Sequence, residues 1–96
     1  MKQNILIVED HELTRFGLKT TFEGVDYVEN IYEADSAEMA IKIFNDNKIN
    51  IVIMDLGLPN MNGIDATKKI RSINKDTKIV ILTSHNDEKE VLNSIK

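Results

Sequence analysis

The chain has 96 residues, room for one small domain whose core leaves a thin stability margin. It has no cysteine, which excludes a disulfide framework and a thiolate metal site and fits a reducing compartment such as the cytoplasm. Twelve basic against sixteen acidic residues give a formal net charge of -4, a poor balance for gripping nucleic acid directly, and no apolar run has the length of a signal peptide or a membrane span.

In chain order, the apolar pattern alternates between two periods. Asn4 to Val8, "NILIV", is a short β-branched run and predicts a strand. "HELTRFGLKTTF" follows with Leu13, Phe16, Gly17 and Thr20 at helical spacing. Tyr27 to Ala34 reads as a strand with alternating faces. "SAEMAIKIFNDN" sets Ala37, Ala40, Ile41 and Phe44 on one helical stripe, with Asp35 and Glu38 as its capping box. Ile49 to Met54 is continuously apolar, as a strand covered on both faces should be. "GIDATKKIRSIN" places Ala66, Thr67, Ile70 and Ile73 on one side, and Lys68, Lys69 and Arg71 on a solvated face. Lys78 to Thr83 is a fourth strand, and "DEKEVLNSIK" opens a fourth helix with Asp87 and Glu90 as a second cap. The order is β-α-β-α-β-α-β-α, an α/β fold with a parallel sheet and right-handed crossovers.

In an open parallel sheet, ligands bind beyond the carboxyl ends of the strands. Here the first strand ends in Glu9 and Asp10, the third in Asp55, and the fourth in Thr83 and Ser84. One acid at a strand end is ordinarily a solvated turn residue or a helix cap, and His11 and His85 read as loop or surface residues. The joint pattern is more specific. Three carboxylates on one rim repel each other, and a hard divalent cation relieves that repulsion. An oxygen-only donor set suits Mg²⁺ rather than zinc. After Asp55 comes a stretch rich in turn residues, with Gly57, Pro59 and Gly63.

The stretches "ILIVEDHELTRFGL", "IVIMDLGLPNMNGIDATKKIR" and "KIVILTSHND" together resemble the receiver domain of two-component response regulators, over essentially the whole chain. The wording around His11 and "LTSHND" is most similar to the branch joined to LuxR-type helix-turn-helix output domains. The resemblance implies a flavodoxin-like, doubly wound parallel sheet with strand order 2-1-3-4. It implies that Asp55 is the phosphoacceptor for a sensor histidine kinase. Glu9, Asp10, Asp55 and the carbonyl of Gly57 would hold Mg²⁺, with Asp10 the more direct ligand and Glu9 acting through water. Thr83 would be the switch hydroxyl, and Pro59 and Gly63 would shape the loop. The domain would signal rather than act as an enzyme, and would reach DNA only through an output domain absent from this sequence.

A complete receiver of this kind continues after "NSIK" into a fifth strand and a fifth helix. That strand begins near a lysine that pairs with the phosphoryl group, a role carried to no residue here. The expectation is therefore a receiver of residues 1–96 that stops before the fifth strand. The alternative function is a phosphorylation-incompetent docking or dimerisation module. The fourth strand would be an open edge, and an apolar face including parts of Leu6, Val8 and Phe16 would be uncovered. Pairing or swapping between two copies is expected from that edge. A flavin binder is disfavoured because the acids of "VEDHE" repel phosphate. A phosphatase of the Asp-x-Asp type is disfavoured because the chain runs Asp55-Leu56-Gly57.

Overall fold

A computed structural model describes residues 2–58 and 63–82. It contains β1 (Gln3–Val8), α1 (Glu12–Glu23), β2 (Val28–Ala34), α2 (Ala37–Asp46), β3 (Ile51–Asp55), α3 (Gly63–Ile73) and β4 (Lys78–Leu82). All pairings are parallel, and the strand order is β2-β1-β3-β4. The fourth helix, its Asp87–Glu90 cap, His85, Pro59 and Thr83 lie outside the described residues.

The two central strands are unbroken apolar runs over Ile5 to Val8 and Ile51 to Met54, where both of their faces are covered. Leu6, Val8, Val52 and Met54 face α2 and α3, where Ala37, Ala40, Phe44, Ala66 and Ile70 complete a core. Ile5, Ile7 and Ile53 face the other way, against Leu18 and Phe22 of α1. Alternate residues of one strand thus serve opposite layers, as a period of two requires. Leu6 and Val8, expected on the uncovered face, are instead fully buried on the α2–α3 side.

Two helix readings need correction. The stripe expected on α1 points outward: Leu13 is 77% exposed and Phe16 67% exposed. The helix docks through Leu18 and Phe22, and Arg15 continues the same inward stripe toward the strand ends. The polar Arg15 on this stripe hides its period. At α2 the cap is Ser36, whose Oγ accepts from the Met39 N–H at 3.2 Å; Asp35 lies one residue before it. Arg71 is also not merely solvated. It donates to the carbonyl oxygens of Lys75 and Thr77 and ties the end of α3 to the turn into β4. Among the described residues β4 forms one edge of the sheet, with Val80 46% exposed, and no helix is long and apolar enough to cross a membrane.

Candidate functional site

β1 and β3 pair from Ile5↔Ile51 to Val8↔Met54, so the next residues, Glu9 just past β1 and Asp55 at the end of β3, come side by side at the sheet's rim. The Glu9 N–H donates to the Ala34 carbonyl at the end of β2, at 3.0 Å, which ties the turn after β1 to its neighbour. One ligand atom from each of Glu9, Asp10, His11 and Asp55 lies within 4.8 Å of all the others. Three of these four are the carboxylates expected from the strand-end pattern. The fourth, His11, was read as a surface residue. Its side chain is indeed 72% exposed, yet Nδ1 lies 3.3 Å from both Glu9 Oε2 and Asp10 Oδ1. Its position directly after the two acids was the available signal.

The environments of the acids differ. Glu9 is 5% exposed, and its pKa is pushed up to about 6. Burial away from water is the main cause, followed by a hydrogen bond with Asp55 and the repulsion of that neighbouring charge. The His11 backbone N–H, 3.3 Å from Glu9 Oε2, works in the opposite direction. His11 itself is raised, first by its bond to Glu9 and then by the charges of Asp10 and Glu9. Asp10 Oδ1 is buried and accepts no hydrogen bond. Buried carboxylate oxygens are normally hydrogen-bonded, whereas this one has only the His11 ring, 3.3 Å away, as a charge partner. A hard divalent cation fits that donor set of oxygens.

The loop after Asp55 is fixed by backbone contacts. Gly57 N–H donates to Asp55 Oδ1 at 3.1 Å, closing a tight turn around the acid. Gly57 is exposed at the rim. Gly63 N–H donates to the Leu56 carbonyl at 3.1 Å. A Cβ at Gly63 would stand 2.7 Å from Leu56 Cα, so only glycine lets α3 begin against the backbone of the Asp55 loop. Asp55 pairs with Leu82 in β4, which brings the end of that strand to the same rim, where Thr83 follows in sequence.

The profile of the response regulator receiver domain matches residues 5–96. The chain belongs to this family. It is 37% identical over 84 residues to the response regulator UvrY of Escherichia coli K12, covering 88% of this chain and 38% of that protein. It is 36% identical over 92 residues to the transcriptional regulatory protein YdfI of Bacillus subtilis 168, covering 96% of this chain and 43% of that one. The chain thus spans less than half the length of these curated relatives. Among solved structures, a LuxR-family two-component response regulator from Aurantimonas sp. SI85-9A1 superposes with a TM-score of 0.89 at 30% identity, over 99% of this chain and 68% of that one. A receiver domain from Clostridium thermocellum superposes at 0.88 with 26% identity, over 97% and 74%. The receiver fold and the LuxR-type branch expected from the sequence agree with these relatives. Magnesium and a cytoplasmic setting are typical of the family.

Proposed function

We propose that this receiver takes a phosphoryl group on Asp55 from a sensor histidine kinase and passes the change to a DNA-binding output domain of the parent protein. The observation that carries this reading is the placement of Asp55 at the end of β3, within 4.8 Å of Glu9 and Asp10. Its turn is held by Gly57, in a chain of the receiver family. A carboxylate oxygen of Asp55 attacks the phosphorus of a phosphohistidine. The phosphorus–nitrogen bond breaks, the imidazole leaves with that electron pair, and an acyl phosphate remains on Asp55.

In this reading Glu9, Asp10, Asp55 and the Gly57 carbonyl hold Mg²⁺. The cation, when bound, neutralises charge that gathers between the nucleophile and the phosphoryl oxygens. The buried Asp10 Oδ1, which accepts no hydrogen bond, supports that assignment. The turn made by Gly57 presents Asp55 in a fixed direction, which is the chain's own contribution to an in-line attack. Thr83, next to the β4 residue that pairs with Asp55, is the hydroxyl that follows the phosphoryl group and relays the switch. The receiver occupies residues 1–96 and signals rather than turns over a substrate. The cytoplasm is its setting, and two copies meet through the β4 edge. A receiver that only docks would have no use for three carboxylates gathered at one rim, so the phosphoacceptor reading is favoured.

The test is intact-mass spectrometry after incubation with a small phosphodonor and Mg²⁺. Wild type gains one phosphoryl group, and Asp55→Asn gains none. Thr83→Ala gains it but shows a weaker conformational response. Phosphate retained on Asp55→Asn would place the acceptor elsewhere.

A further inference from the structure

We infer that Arg15 is a positioning residue for the carboxylate cluster, acting through the Glu9–Asp10 peptide rather than through any ligand. Its Nη1 donates to the Glu9 carbonyl oxygen at 2.8 Å. That carbonyl belongs to the peptide plane that leads into Asp10, so its direction sets where the Asp10 carboxylate goes. The N–H of Glu9 is already held by Ala34. With Arg15 on the carbonyl, both backbone groups of Glu9 are fixed, one from β2 and one from α1.

Arg15 is itself restrained. It is only 20% exposed as a side chain, and its Nε lies 3.3 Å from Glu33 Oε1 on β2. The other Glu33 oxygen is 3.4 Å from Lys19 Nζ, one turn further along α1. The planar guanidinium thus serves two acceptors at once, the Glu9 carbonyl and the Glu33 carboxylate. Lysine, with a single charged tip, cannot reproduce that fork. Long helical side chains lean toward the helix N-terminus, and this direction carries Arg15 from the inward stripe of α1 back to the rim. Nothing in the assigned roles of Glu9, Asp10, Asp55, Gly57 and Thr83 uses this contact. Outer-shell groups that orient metal ligands typically govern affinity by roughly 10–100-fold.

The inference rests on the Mg²⁺ reading, so the experiment separates the two. Mg²⁺ affinity of the whole chain is measured by calorimetry, and backbone ¹⁵N order parameters are measured without metal. Arg15→Ala is expected to weaken Mg²⁺ binding roughly tenfold. It should also lower the order parameters of the Asp10 and His11 amides while those of Leu6 and Val8 hold. Arg15→Lys should recover part of both losses. Lys19→Ala, which removes the other partner of Glu33, should change neither. Phe22→Leu serves as a variant destabilised through the α1 core contact alone, and it should melt earlier with Mg²⁺ affinity intact. Unchanged Asp10 order parameters and affinity in Arg15→Ala would overturn the inference. So would an affinity loss no larger than that of Phe22→Leu at a matched melting temperature. A wild-type chain that binds no Mg²⁺ overturns instead the functional reading, and with it the metal half of the inference.

Discussion

Replacing Glu9 with glutamine should make the metal-free protein more stable at neutral pH than the wild type. The carboxyl of Glu9 rises from an ordinary 4.5 to about 6 in the fold. A rise of about 1.5 at about 1.4 kcal/mol each comes to about 2 kcal/mol. The sign follows from the direction. A folded value above the unfolded one contributes stability that is fully present below about pH 4.5 and is lost as the pH rises through about 6. Ionised Glu9 is therefore a burden on the metal-free fold at neutral pH, and glutamine removes the titration. The difference in stability between Glu9→Gln and wild type should climb by about 2 kcal/mol from about pH 4.5 to about pH 7.5. For a domain of this size that is on the order of 10 °C in melting temperature. His11 is also raised and fades in the same direction, so His11→Ala in both backgrounds isolates the share of Glu9. Saturating Mg²⁺ should close the gap, because the cation favours the ionised acid that glutamine cannot supply. Thermal melts in chelator across that range decide it. A difference between the two proteins that stays flat with pH would refute the reasoning.

Gly63→Ala sets a Cβ 2.7 Å from Leu56 Cα and 3.0 Å from the Asp55 carbonyl carbon, atoms that cannot turn aside. It should cost about 2–3 kcal/mol in denaturant melts and weaken Mg²⁺ binding as the Asp55 loop shifts. Ser36→Ala removes the cap on the Met39 N–H and should cost about 1 kcal/mol in the same melts, with Mg²⁺ affinity unchanged. Light scattering of the 96-residue chain should report a dimer or larger species through the β4 edge, and a stable monomer at low concentration would refute that pairing.

The central strands were legible because burial on two faces leaves an unbroken, β-branched apolar run such as Ile51 to Met54. From those runs the parallel sheet follows; its order came from the resemblance to the receiver family, and with that order the strand ends bring Glu9, Asp10 and Asp55 to one rim. The first helix was not legible in the same way. A helix that covers one side of a small sheet offers more than one stripe, and the pair Leu13 and Phe16 matches Leu18 and Phe22 in composition, so composition cannot choose between them. The stripe that docks holds Arg15 with Leu18 and Phe22, and its charged member breaks the pattern because its partner is a backbone carbonyl invisible in sequence. The cap of α2 slipped by one residue for a related reason: aspartate and serine both cap helices, and only the extended backbone of Ser36, at φ -148° and ψ 161°, chooses between them. His11 was correctly read as exposed, but exposure of a ring does not prevent one of its nitrogens from reaching the buried Glu9 and the partly buried Asp10.

The rim is notable for how completely its backbone is satisfied. The N–H of Glu9 is taken by Ala34 and its carbonyl by Arg15, and the N–H of Gly63 is taken by Leu56. Asp55 Oδ1 accepts from Gly57. Against that background the buried side-chain atom left without a hydrogen bond among the described residues is Asp10 Oδ1. An unsatisfied buried oxygen in a loosely built region could be ordinary imperfection. In a rim where neighbouring β2, α1 and the Asp55 loop each contribute bonds to hold the acids still, it is the acceptor left with no hydrogen bond and only the exposed His11 ring beside it. Burial, and after it the neighbouring Asp55, raise Glu9 and destabilise the metal-free rim at neutral pH; in the proposed reading a small, hard cation offsets that cost, so stability is given up at the place where chemistry is to be done.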